Sequence, residues 1–116
     1  GINKRILPFD VFINRKLLVE YDGIQHFTPI EDFNGLIGLR RNQYNDNIKN
    51  QYCIDNNIPL IRIPYTEQKN IEHILNNVLI HFGLIETPNQ EYDKEIVYKY
   101  LVDKNWNHDK YIEDNK

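Results

Sequence analysis

The chain has 116 residues, 41% hydrophobic and 27% charged, with a formal net charge of −3. That is enough for one domain with one modest core, and five Gly and five Pro are too few for a collagen-like or low-complexity chain. No apolar run approaches the ~18–20 residues that a membrane span needs.

There is no Met, and the chain opens Gly1-Ile2. The expectation is an excised domain or processed fragment, with further domains in the full-length protein. Asn and Ile make up 33 of the 116 residues. That points to an AT-rich coding genome such as that of a phage, a giant virus or a low-GC bacterium. The single Cys53 cannot form an internal disulfide, and no signal peptide is visible. An intracellular location is therefore expected, in a bacterial cytoplasm or for a viral protein acting inside the cell. Charge is unevenly spread. Residues 1–85 carry nine acids and nine bases, and residues 86–116 carry eight acids and five bases. If Asp10, Glu20, Asp22 and Asp46 are set aside as a metal site, nine bases face five acids and the rest of 1–85 is net +4. This balance is permissive for a nucleic-acid partner.

In chain order, residues 5–22 read as a hairpin. Phe9, Val11 and Ile13 alternate with Asp10, Phe12 and Asn14, and Leu17–Asp22 is a second, more apolar strand stopped by Gly23. Asn14-Arg15-Lys16 is the turn. Residues 27–38 read as a loop, with Pro29, Asn34-Gly35 and Gly38 as breakers. Residues 39–57 read as a helix with an apolar stripe at Tyr44, Ile48 and Tyr52, ended by Asn56-Asn57. Leu60-Ile61-Arg62-Ile63 is a short buried strand closed by Pro64. Residues 68–83 form a second helix, with Ile71, Ile74, Leu75, Val78 and Phe82 inward and Gly83 as its stop. Thr87-Pro88-Asn89 is a linker. Residues 90–103 fit an amphipathic helix through Ile96, Val97, Tyr100 and Leu101, and Trp106 and Tyr111 pack that tail back onto the body. A helix between strands two and three predicts a mixed sheet flanked by helices, an α/β sandwich.

The informative stretch runs from Leu7-Pro8-Phe9-Asp10 to Glu20-Tyr21-Asp22-Gly23-Ile24-Gln25-His26. A three-residue turn sets Ile13 opposite Leu17, Phe12 opposite Leu18 and Asp10 opposite Glu20. Glu20 and Asp22 share that face because side chains alternate. An even-numbered turn would separate Asp10 from Glu20. Like charges opposite one another repel, and a hard divalent cation relieves them. Oxygen ligands select Mg²⁺, with Mn²⁺ as a substitute, and Asp10, Glu20 and Asp22 are the candidate ligands. The competing reading is a surface hairpin with solvated acids.

His26 suits general acid or base work, or else caps a turn. Asn42, Asp46, Lys49 and Cys53 share one helix face, distinct from the Tyr44–Ile48–Tyr52 stripe. Asp46 is then a direct or supporting ligand and Lys49 a phosphate contact, or the two form an ordinary ion pair. Arg62, inside an apolar strand, needs a partner: an acid of the site or a substrate phosphate. Arg40 and Arg41 open the helix where backbone phosphates would lie, or are simply solvated. His73, His81 and His108 read as ordinary. There is no Gly-rich phosphate loop, CxxC pair or HExxH.

Pro8-Phe9-Asp10, followed after nine residues by Glu20-Tyr21-Asp22-Gly23-Ile24-Gln25-His26, resembles the PD-(D/E)xK nuclease superfamily. More narrowly it is similar to the very-short-patch-repair-like branch, which includes phage homing endonucleases named for an EDxHD motif. Asn45-Asp46, Lys49 and Ile58–Pro64 also look like that branch, and the likeness covers about residues 5–83. It implies a restriction-endonuclease-like core over 1–85, lacking a helix that would lie upstream of Gly1, with a C-terminal helical extension over 86–116. It implies Mg²⁺-dependent hydrolysis of DNA phosphodiesters, as an endonuclease or nickase. Asp10 matches the first-motif aspartate and Glu20 the second acid. Asp22 stands where the wider superfamily has Lys, and Gln25 and His26 would complete the site. The alternative is a non-catalytic module of a larger nucleic-acid-processing protein. Three roles stand open for the tail: homodimer contact, DNA-binding extension, or lid.

Overall fold

The structure, a computed structural model, describes residues 10–30, 33–87, 89 and 91–116, with the backbone alone at Asp10, Phe33 and Asn34. Leu7-Pro8-Phe9, Pro88 and the Asp10 side chain lie outside the described residues. The fold is mixed α/β. Its four-stranded sheet runs β1 (Asp10–Ile13), β2 (Leu17–Asp22), β3 (Leu60–Pro64), β4 (Leu101–Val102), with neighbours in that order. The β1–β2 and β3–β4 pairs are antiparallel and β2–β3 is parallel. The helices are α1 (Phe33–Asp55), α2 (Ile71–His81), α3 (Lys94–Tyr100) and α4 (His108–Asp114), with 3₁₀ turns at Ile24–His26 and Tyr65–Asn70. Among the described residues no helix is long and apolar enough to cross a membrane.

The hairpin has the odd register that the sequence predicts. Asp10 pairs with Glu20, Phe12 with Leu18 and Ile13 with Leu17. The Lys16 amide donates to the Ile13 carbonyl at 2.9 Å, and φ is +49° at Asn14 and +57° at Arg15. Asn tolerates this left-handed region and Arg accepts it at a cost of about 1–2 kcal/mol. The reward is register, which fixes every side chain of β2 to one face or the other.

Leu17 and Val19 of β2 and Ile61 and Ile63 of β3 face α2 and α3. They bury with Ile74, Val78, Val97 and Tyr100 in the main core. Buried Asn77 of α2 accepts the Asp93 amide at 2.7 Å, tying the start of α3 to α2. Helix α2 is shorter than the expected 68–83, since residues 68–70 lie in the 3₁₀ turn and the helix ends at His81. The expected stop, Gly83, follows with φ +72°, and the Leu84 amide returns to the Leu79 carbonyl at 2.9 Å.

The other sheet face differs. Between β2, β3 and α1 lies a layer holding Glu20, Asp22, Arg62, Asp46 and Asn50, all buried. A small apolar cluster of Cys53, Leu60 and Val102 closes one end of it.

Three expectations are corrected here. Helix α1 starts at Phe33, so Gly35 and Gly38 lie inside a helix and not in a loop. Gly35 earns its place by close approach, since a Cβ there would lie 3.1 Å from the Ile30 backbone nitrogen. The Tyr44–Ile48–Tyr52 stripe faces outward, these residues being 68%, 52% and 60% exposed. The polar face turns inward because the sheet beneath presents charges that apolar side chains could not satisfy. The tail helix ends at Tyr100, where Leu101 turns extended and joins the sheet: Ile61 pairs with Leu101 and Leu60 with Val102. A further helix, α4, follows, its Asn107 cap accepting the Lys110 amide at 3.0 Å. Strand β4 and helix α3 therefore join the sheet and the main core built by the residues before them.

Ile61 is fully buried, so Ile61→Ala is expected to cost about 2–5 kcal/mol in urea unfolding. Ile48→Ser, on the outward stripe, is expected to stay within about 0.5 kcal/mol of wild type. Equal losses from the two would mean that α1 packs with its apolar face inward.

Candidate functional site

The Arg62 guanidinium sits at the centre of the buried polar layer and is fully buried. Its Nη1 donates to both carboxylate oxygens of Asp22, at 2.9 and 3.0 Å. Its Nε donates to Asn50 Oδ1 at 2.7 Å, and Nη2 to the Asp46 carbonyl at 3.3 Å. The Asp46 carboxylate lies 3.5 Å from Nη2 and that of Glu20 3.8 Å from Nη1. Burial opposes its charge, but Asp22, Asp46 and Glu20 outweigh it and hold the guanidinium protonated. The register explains the arrangement. Glu20 pairs with Arg62 across the parallel ladder, and Asp22 shares Glu20's face one pleat further on.

Asp22 also accepts the Tyr111 hydroxyl, at 2.7 Å. Burial raises the Asp22 carboxyl above its ordinary range, against Arg62, His26 and that hydroxyl, which all favour the carboxylate. Burial and the neighbouring Asp22 raise the Tyr111 phenol, so it stays a donor.

His26 enters from the 3₁₀ turn after β2. Helix α1 clamps that turn: Asn42 donates to the Gln25 carbonyl at 3.1 Å and Gln43 to the His26 carbonyl at 3.2 Å. His26 Nδ1 is 2.7 Å from Asp46 Oδ2 and 3.9 Å from Asp22 Oδ1. Burial depresses the imidazole, but the Asp46 bond and the Asp22 charge win and raise it above its ordinary value. For Asp46, burial is likewise overcome, by the His26 bond and Arg62, and its carboxyl is lowered. One ligand atom from each of Asp22, His26 and Asp46 lies within 4.8 Å of the others, a grouping that could hold a metal ion.

Of the residues singled out from sequence, Glu20, Asp22, His26, Asp46, Lys49 and Arg62 converge here. Asp46 and Lys49 do not pair with each other: Lys49 Nζ pairs with Glu20 across the layer. Asp10 enters by backbone register, opposite Glu20. Gln25 is exposed and curls over Gly23, and Arg40 and Arg41 are exposed on α1.

Sequence reasoning missed three members, Asn50, His108 and Tyr111. Asn50 lies one helical turn beyond Asp46 and was legible from that spacing. His108, expected to be ordinary, is buried with Nε2 4.0 Å from Asp46 Oδ2. Burial, with Arg62 nearby, lowers its pKa to about 4. Nothing local to residues 108–111 signals contact with Asp22, 89 residues upstream.

The raised imidazole has a measurable sign. A histidine whose folded pKa exceeds its unfolded value, ~6.5, stabilises fully below that pH and loses the contribution as pH rises through the folded value. In EDTA, the stability difference between wild type and His26→Gln is expected to be largest near about pH 6 and to shrink toward about pH 9. A difference independent of pH would mean that the Asp46 bond does not act on the charged imidazole.

No family model matches the chain, and no solved structure matches it. It is similar to Uncharacterized protein 307L of Invertebrate iridescent virus 6, with 41% identity over 73 residues, which is 62% of this chain and 36% of that protein. The chain thus spans about a third of the length of this viral relative.

Proposed function

We propose that this chain is the catalytic part of a metal-dependent nuclease that hydrolyses DNA phosphodiesters inside the cell. The observation that carries the reading is the convergence of Asp22, His26 and Asp46, from β2, the turn after it and α1, with ligand atoms within 4.8 Å of one another. The fit to a cation rests on donor chemistry. Two carboxylates and an imidazole are a mixed oxygen and nitrogen set that suits Mn²⁺ as well as Mg²⁺. Asp22, Asp46 and His26 would hold the ion, with Glu20 behind them. A bound divalent cation there would polarise a phosphate oxygen and acidify a water.

The protein's own residues divide the remaining work. While His26 Nδ1 is bonded to Asp46, Nε2 is the atom left to exchange a proton, and as a ligand through Nδ1 His26 would give that bond up. Arg62 holds Asp22 and the Asp46 backbone in place. Lys49, whose side chain is 40% exposed, can pass from Glu20 to a phosphate. Arg40 and Arg41 add attraction for the DNA backbone. Charge suggests an order of binding. With His26 neutral, as a ligand must be, Glu20, Asp22 and Asp46 give three negative charges and Arg62 and Lys49 two positive, so one remains. A divalent cation overcompensates that charge, and a phosphodiester restores the balance. Metal and DNA therefore favour each other's entry.

One observation favours a second reading, a nuclease-like module without catalysis. Arg62 and Tyr111 already satisfy both Asp22 oxygens. The acids therefore do not require a cation for the fold to be stable.

Thermal shift separates the two. Mn²⁺ at a hundredfold over its Kd stabilises a folded-state site by about 2.7 kcal/mol, and Tm is expected to rise by several degrees in wild type but not in Asp46→Asn. The binding-module reading expects no shift in either protein. In nicking of supercoiled plasmid at low salt, wild type is expected to cut with Mg²⁺ or Mn²⁺ and not with EDTA. Asp46→Asn and Glu20→Gln, checked for fold by circular dichroism, are expected to lose about 10²-fold or more. Retained cutting in both variants would remove the site from this layer.

A further inference from the structure

His108 carries a hydrogen-bond pattern with only one reading. Two donors point at its Nδ1: Asn50 Nδ2 at 3.1 Å and the Trp106 indole Nε1 at 3.0 Å. The indole is a donor only. The Asn50 amide is oriented by Arg62, whose Nε–H occupies Asn50 Oδ1 at 2.7 Å, so the amide nitrogen is the end that meets His108. Nδ1 must therefore accept, and in a neutral imidazole the hydrogen then resides on Nε2. That fixed tautomer also bars Nε2 from ligating a metal, because its lone pair is used by the hydrogen.

The Nε2–H donor is buried and meets no hydrogen-bond partner among the described residues. His108 itself is 8% exposed. The Asp46 Oδ2 atom is 4.0 Å away, too far for a direct bond. A buried donor left unpaired is destabilising. A single oxygen placed about 2.8 Å from both atoms spans the gap at hydrogen-bond length. That oxygen must accept from Nε2–H and donate to the Asp46 carboxylate. A bare phosphate oxygen fails, because it has nothing to donate. Water meets both demands.

We propose that His108 and Asp46 hold one water molecule between Nε2 and Oδ2, making His108 a positioning residue that fixes the Asp46 carboxylate beside His26. The C-terminal segment thereby supplies part of the site, and Trp106 and Asn50 set the direction of the donor. The water site stands on the hydrogen bonding alone. Its effect on hydrolysis rests on the nuclease reading above.

The first test is NMR of the full chain with ¹⁵N-labelled histidine. Long-range ¹H–¹⁵N spectra are expected to show His108 as the neutral Nε2–H tautomer, with cross-relaxation from that proton to a bound water. A proton on Nδ1, or an Nε2–H signal with no water contact, would overturn the proposal. The second test compares His108→Gln, whose amide can still donate at the Nε2 position, with His108→Phe, which keeps the ring and loses both nitrogens. In plasmid nicking, Phe is expected to lower kcat about 10–100-fold with KM unchanged, and Gln to restore most of it. A folded Gln variant as poor as Phe would refute positioning through the donor. Wild-type protein that never nicks would sink the nuclease reading, and the NMR result would still decide the water site.

Discussion

One buried cation organises this molecule. Arg62 lies mid-strand in β3 with no access to solvent. A guanidinium cannot shed its proton, so the fold must surround it with acceptors or forgo the strand. Asp22, Asn50 and the Asp46 carbonyl do so directly, while the Asp46 and Glu20 carboxylates stand close by. Such networks gain little net stability over an apolar equivalent, but leaving one member unpaired is costly. Their effect is on arrangement. Only the polar face of α1 can lie over β2 and β3, so its tyrosines and Ile48 are displaced to the surface.

That constraint explains what the sequence made legible and what it did not. The hairpin register followed from counting three turn residues. It placed Asp10 opposite Glu20, and Glu20 on the face it shares with Asp22, because a pleat leaves no other choice. The β3 strand and the Gly83 stop were equally local. The facing of α1 was not. Hydrophobic periodicity marks the inward side only where the neighbouring surface is apolar, and here the surface across the layer was charged. The same sequence did hold the counter-signal, an Arg inside an apolar strand opposite a helix whose Asn42, Asp46 and Lys49 share one side. Strand β4 was too short for its alternation to stand out from the end of a helix. The roles of His108 and Tyr111 depended on tertiary contacts across the whole chain.

The two sheet faces divide labour. The α2 and α3 side is an ordinary apolar core with one buried asparagine tying a loop, and it supplies the bulk of the hydrophobic stabilisation. The α1 side is chiefly polar and holds the candidate chemistry. This separation lets the charged layer keep a costly geometry, since the opposite face secures the sheet. The aromatic cluster of Phe27, Tyr65, Trp106 and Tyr111 joins the turn before α1 to the turn after β3 and to α4. Thr66 adds a direct bond to Asn115 at 2.6 Å.

The contact between Tyr111 and Asp22 gives the site an order in time. A ribosome releases Asp22, His26 and Asp46 early, then Arg62, and His108 and Tyr111 much later. In the interval the sheet lacks β4, and Asp22 lacks its hydroxyl donor. The nascent chain thus carries its acids before it carries the groups that set their final geometry. Whatever the layer does, it cannot do it in finished form until translation has passed residue 111 and α4 has docked.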